Sequence, residues 1–140
     1  MKPFQASTTI DASPEEIWAV LTDSAGWSSW DSGVDGVDGE LAPGQQVTIR
    51  SAVAPGRAFP VRVTRYEPGA NLELTGGLPL GLFRGVRTYS LRRNGSATDV
   101  TMREVYSGPL AGLIGRSIPD LQPSFDQFVS GLKQRIERGR

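Results

Sequence analysis

The sequence predicts an α+β domain spanning residues 1–140. In it, a curved antiparallel sheet of six to seven strands wraps around a long C-terminal helix, with two short helices after the first strand. Three observations carry this expectation. A capped amphipathic helix opens at Ser13. Between Gln46 and Tyr106, runs of alternating apolar residues are separated by Pro, Gly and Asn turns. From Ile118 to Ile136, apolar residues recur at steps of three and four, the period of a helix that buries one face.

The elements follow in order. Ala6, Thr8 and Ile10 alternate with Ser7, Thr9 and Asp11, a short first strand. Ser13 is a suitable N-cap, and Glu16 stands three residues on, the spacing of a capping box. Pro14 falls where its missing N–H costs nothing, and Glu15 and Glu16 meet the positive end of the helix dipole. Ile17, Val20 and Leu21 form the apolar stripe. Asp23, Ser24 and Gly26 then break the helix and lead into a second, short one, whose Trp27 and Trp30 share a face. Residues 33–39 repeat Val-Asp-Gly twice and read as an irregular strand. Gln46 to Val53 alternates, and Ala54-Pro55-Gly56 is a turn. Phe59, Val61 and Val63 alternate before a turn at Tyr66-Glu67-Pro68-Gly69. Leu72 and Leu74 mark a fifth strand, and Gly76 to Gly81 a long apolar loop. Phe83 to Arg92 and Thr98 to Tyr106 form the last two strands, joined at Asn94-Gly95. Gly108 to Arg116 reads as loop or broken helix. The terminal helix begins near Pro123, or bends there, because proline is tolerated only in the first turn, and Gly139 stands where a C-cap belongs.

Composition excludes several function classes. Lys plus Arg equals Asp plus Glu at 15 each, and Arg and Lys are scattered apart from a mild C-terminal cluster (Lys133, Arg135, Arg138, Arg140), so the balance shows no polybasic footprint for nucleic acid or an anionic membrane. The chain has no Cys and no His. Disulfides, a thiol nucleophile and thiolate metal sites are therefore absent, which suits the cytoplasm. The commonest general base and metal ligand is missing too, so no Ser-His-Asp triad forms. Rieske and haem centres need His or Cys ligands, and no cofactor or metal is expected. The glycine-rich 76–81 stretch lacks a P-loop lysine, and Asp31, Asp35 and Asp38 lack the closing Glu of a calcium loop. The start Met1-Lys2-Pro3-Phe4 does not read as a signal peptide. No run approaches the roughly 20 apolar residues of a membrane span, so stable membrane insertion is not expected.

The segment Ala12 to Asp23 (ASPEEIWAVLTD), with Trp27 and Trp30 behind it, resembles the START-like superfamily, also called SRPBCC or helix-grip proteins. Within it the chain is similar to small bacterial polyketide cyclase/dehydrase-type proteins, through Arg87-Thr88-Tyr89-Ser90-Leu91 and Arg103-Glu104-Val105-Tyr106-Ser107-Gly108. The resemblance covers essentially the whole chain. It implies a large cavity between sheet and terminal helix, and a partner that is a hydrophobic small molecule.

Alternation then selects the cavity-facing side chains. Arg87 shares a face with Tyr89 and Leu91, and Glu104 and Tyr106 share one with Val100 and Met102. A hairpin near Asn94-Gly95 sets Arg87 opposite or diagonal to Glu104. The helix contributes Leu121, Phe125, Phe128 and Leu132, and the sheet Val61, Leu72, Leu74 and Phe83. Trp27 and Trp30 either border the cavity or plug the core. Leu78, Leu80 and Leu82 form either a mouth or an ordinary connection. The charged pair has two readings: it orients a polar group of a ligand, or its members neutralise each other because a buried charge must be paired.

Three functions remain open. The first is binding of a lipid, fatty acyl chain or aromatic polyketide. The second is an aromatase/cyclase-like enzyme, in which Arg87 or Tyr106 stabilises an enolate and Glu104 acts as base if burial raises its pKa. The third is an interaction module whose core is filled by its own side chains. A monomer or a homodimer is compatible with all three.

Overall fold

A computed structural model describes residues 2–52 and 56–139. Seven strands form one antiparallel sheet in the order β1-β7-β6-β5-β4-β3-β2. They are β1 (Phe4–Ile10), β2 (Val34–Asp38), β3 (Gln46–Ser51), β4 (Phe59–Glu67), β5 (Asn71–Leu78), β6 (Phe83–Asn94) and β7 (Ala97–Ser107). Strands β2 to β7 run as a meander, and β1 closes the far edge by pairing with β7. Helix α1 (Pro14–Leu21) follows β1, a 3₁₀ turn spans Ser24–Ser29, and α2 (Ala111–Ile114) runs into a 3₁₀ turn at Gly115–Ser117. Helix α3 (Gln122–Arg138) packs mainly on β1 and also on α1. The sheet curls as a half-barrel around α3, the START or helix-grip fold.

Local chemistry accounts for the boundaries. Ser13 Oγ accepts the Glu16 N–H at 3.2 Å, so Ser13 is the N-cap as expected, and the Glu16 carboxylate lies 3.4 Å from the same hydroxyl. Helix α3 starts at Gln122 with Pro123 in its first turn. Ile118 lies before α3, and Leu121 occupies its N-cap position.

Three elements differ from expectation. The 76–81 stretch is not a long loop: β5 runs to Leu78 and β6 restarts at Phe83, with only Pro79–Gly81 between them as a 3₁₀ turn. Apolar and glycine residues here extend the sheet because Gly76 to Leu78 pair in register with Phe83 to Gly85. The β6–β7 turn is centred one residue later than Asn94-Gly95, since Asn94 pairs with Ala97. The second short helix is a 3₁₀ turn that ends at Ser29, so Trp30 is extended. The expected strand end at Val53 and turn at Ala54-Pro55 lie outside the described residues.

The core fills one end of the half-barrel. Ile10, Ile17, Leu21, Leu72 and Leu132 are fully buried there, with Trp27 and Tyr89 beside them. Trp27, Trp30 and Tyr89 all pack on Phe128, with ring centroids 5.0, 5.2 and 5.4 Å away. Burying such aromatic groups supplies much of the driving force for a domain of this size.

Candidate functional site

The other end of the half-barrel is open. A cavity of about 450 Å³ lies between the sheet and the N-terminal half of α3. Val61, Leu74, Phe83 and Met102 face it from the sheet. Leu121, Phe125 and Phe128 face it from the helix. Arg87, Glu104 and Tyr106 form its polar part.

Five sequence-selected residues stand outside this wall. Trp27 lies behind Phe128, which separates it from the space, and its Nε1 donates to the Leu21 carbonyl at 3.0 Å. Trp30 borders a separate surface groove beside Gly131 and Arg135. Leu72, Tyr89 and Leu132 point to the correct side but sit further along their elements, in the packed end. Strand alternation gives the face of a residue and not its depth, so this distinction escapes a period-two argument.

Sequence reasoning also missed part of the wall. Gly76 and Gly85 pair across β5 and β6, and both line the cavity. Two inward positions without side chains leave its floor bare. A Cβ on Gly76 would meet Val61 Cγ1 at 3.0 Å, and one on Gly85 would meet the Tyr106 ring at 3.3 Å. The signal was present as glycines in phase with Leu74 and Arg87, but the register was needed to set them opposite. Ile114 and Ile118 complete the mouth from the segment before α3.

The polar cluster follows from the hairpin register. Arg87 is directly opposite Glu104. Arg87 Nε lies 3.3 Å from Glu104 Oε1, and Nη2 donates to Oε2 at 3.3 Å. The Tyr106 hydroxyl donates to the same Oε2. The two charged side chains are 21% and 13% exposed, so they are largely desolvated. The guanidinium also lies 4.9 Å from the centre of the Phe125 ring, an added cation–π contact. Phe83 stacks on Tyr106 at 5.7 Å and 16°, and Phe4 meets Tyr106 edge-on at 6.2 Å. The Tyr89 hydroxyl is buried next to Arg87, without a well-aligned hydrogen-bond partner among the described residues.

Burial sets the protonation states. It would by itself lower the Arg87 pKa and is the largest single effect, but the attraction and hydrogen bonding of Glu104 and Tyr89 together outweigh it, and the guanidinium is held charged more firmly than usual. Burial pushes both tyrosine hydroxyls up, and for Tyr106 the neighbouring Glu104 charge adds to the effect. Tyr106 is therefore a neutral donor throughout the physiological range.

This raised pKa predicts an alkaline weakness. Below the ordinary tyrosine value of 10.0, folded and unfolded chains both keep the Tyr89 proton. Above it, the unfolded chain ionises first, so folding stability falls as pH rises. The slope reaches about 1.4 kcal/mol per pH unit for this one group. Chemical unfolding followed from pH 9 to 11 is expected to show a shallower decline in Tyr89→Phe; an identical slope would refute the assignment.

Among the described residues, no three His, Cys, Asp or Glu side chains gather as a metal site. No helix among them is long and apolar enough to cross a membrane. The arrangement can enclose an apolar body and meet one polar group of it at the cluster of Arg87, Glu104 and Tyr106.

The comparisons agree with this geometry. No curated protein sequence matches the chain. Among solved structures, protein MLL2253 from Mesorhizobium loti superposes with a TM-score of 0.77 at 21% identity, covering 99% of each chain. A START superfamily protein from Mycobacterium smegmatis gives 0.70 at 15% identity, again covering 99% of each. The di-domain ARO/CYC BexL from the BE-7585A biosynthetic pathway gives 0.70 at 14% identity, and there the chain spans 47% of the larger protein. At these identities the likeness is one of fold. The family described as polyketide cyclase/dehydrase and lipid transport matches residues 1–137, and the chain belongs to that family.

Proposed function

We propose that this protein binds a hydrophobic small molecule, such as a fatty acyl chain or an aromatic polyketide-like compound, that carries an oxygen acceptor at one end. The observation that supports it is the cavity itself. About 450 Å³ of mostly apolar space surrounds a single polar cluster at Arg87, Glu104 and Tyr106. Ligand pockets combine these two features, an apolar body and a few placed polar groups. The open volume favours this reading over a module with a filled core. The apolar wall would hold the body of the ligand, and Arg87 would meet its carbonyl or carboxylate, joined by Tyr106 when its hydroxyl turns from Glu104.

A thermal-shift screen of fatty acids and polycyclic aromatic acids tests it. A ligand present at 100 times its Kd stabilises by about 2.7 kcal/mol, which raises Tm by roughly 10 °C in a domain of this size. Val61→Trp, placed in the cavity wall, is expected to keep the fold and abolish the shift. A panel in which no apolar compound raises Tm would overturn the proposal.

A second reading, an aromatase/cyclase-like enzyme, draws on the same polar cluster and on the fold shared with BexL, a di-domain ARO/CYC of a biosynthetic pathway. Arg87 and Tyr106 are donors suited to a developing enolate, and Glu104 would move the proton. Arg87→Ala and Glu104→Gln in a reconstituted synthase should change the product profile; unchanged products would leave binding alone.

A further inference from the structure

The tip of the β5–β6 hairpin is apolar and exposed. Leu80 is 96% exposed, Leu78 46% and Leu82 40%. Leu80 is also the one described non-glycine residue with a positive φ, 61°. A leucine in left-handed backbone is strained, where glycine would not be. Gly77 and Gly81 on either side also have positive φ, so the turn is built to project this side chain into solvent.

A second apolar segment lies against the tip. The Leu110 amide donates to the Leu82 carbonyl at 2.9 Å. Gly108 passes so close that a Cβ there would lie 2.7 Å from the Gly81 and Leu82 carbonyl oxygens. These contacts hold α2 beside the hairpin, and its Leu113 is 66% exposed. The apolar surface is continuous with the cavity, because Leu78 from the hairpin and Ile114 from α2 both line the mouth.

Charge identifies the occupant. The whole chain is formally neutral, yet no Asp or Glu occurs between positions 74 and 98 or between 105 and 119. Arg84 and Arg116 are exposed within those stretches. Protruding leucines on two segments whose charged residues are all arginines suit a fluid anionic interface. A folded partner would need a recess matched to each leucine.

We infer that this end of the molecule docks on an anionic lipid surface, with Leu80 inserted and Arg84 and Arg116 at the head groups, so that the cavity mouth faces the bilayer. Docking does not depend on the ligand reading, since it concerns the outer surface of the tip.

Vesicle flotation tests it, using phosphatidylcholine with and without phosphatidylglycerol. The protein is expected to float with the anionic vesicles and to release as salt is raised. Leu80→Gly should retain or raise Tm, because glycine relieves the backbone, and should lower the partition coefficient roughly tenfold or more through the lost apolar contact. Replacing Arg84 and Arg116 by Gln should lower it about fivefold per charge on anionic vesicles and leave Tm unchanged. Failure to float, or floating that Leu80→Gly does not weaken, would overturn the inference. So would size-exclusion behaviour showing a dimer that Leu80→Gly dissolves without vesicles, which would make a second copy of the chain the occupant.

Discussion

Gly131→Ala is expected to destabilise the protein by about 3 kcal/mol or more, the scale of severe overpacking. In an ordinary helix the same change stabilises by up to about 1 kcal/mol, because alanine loses less backbone freedom. Here the helix approaches the chain at Asp31 so closely that a Cβ would lie 1.9 Å from the Asp31 carbonyl oxygen and 2.7 Å from its carbon. The obstacle is backbone, which cannot rotate aside as a side chain would. Trp30 Cε3 stands 3.3 Å away on the same side, and Phe128, one turn earlier, packs on Trp27 and Trp30. Pushing α3 outward therefore opens the aromatic contacts behind the cavity. Calorimetry should record a fall in Tm on the order of 10 °C. Gly112→Ala in α2, where an added Cβ meets nothing within 4 Å, should leave Tm unchanged or slightly raised. If both variants behave alike, close approach at Gly131 is not what α3 requires.

Breaking the Arg87–Glu104 pair from one side is expected to cost about 3 kcal/mol, because it leaves a largely desolvated charge without its partner. Glu104→Gln keeps the shape but removes the anion that faces the guanidinium at 3.3 Å and that accepts from Tyr106. Arg87→Met removes the cation and its contact with Phe125. The double variant Arg87→Met with Glu104→Gln should be markedly more stable than the sum of the single losses, since no charge is then left unpaired. Urea unfolding of the four proteins measures this, and strictly additive losses would refute the pairing. The same set separates the two roles of the pair. A purely neutralising pair predicts that the double variant binds apolar ligands as the parent does. A ligand-orienting pair predicts that it binds them more weakly while remaining folded.

Much of the architecture was legible in local chemistry. Ser13, Pro14 and Glu16 mark the start of α1, and the observed helix begins at Pro14. The stripe through Phe125, Phe128, Leu132 and Ile136 placed α3 on the sheet, and all four are buried. Alternation along β6 and β7 put Arg87, Glu104 and Tyr106 on one face, where the structure has them. These features depend on residues a few positions apart, and the periods of helix and strand carry them directly.

Tertiary structure decided depth and emptiness. Tyr89 and Leu72 share the inward faces of Arg87 and Leu74, yet they lie in the packed end because Trp27 and Phe128 fill the space beside them. The cavity exists where Gly76 meets Gly85, an adjacency set by strand register between residues nine apart in sequence. The exposed Leu80 was legible in the sequence only as part of an apolar loop, and its strained backbone emerges from the extension of β5 and β6 to within a few residues of each other. Periodicity determines which way a side chain points. Only the packing of distant elements determines whether another side chain, solvent or open space lies in front of it.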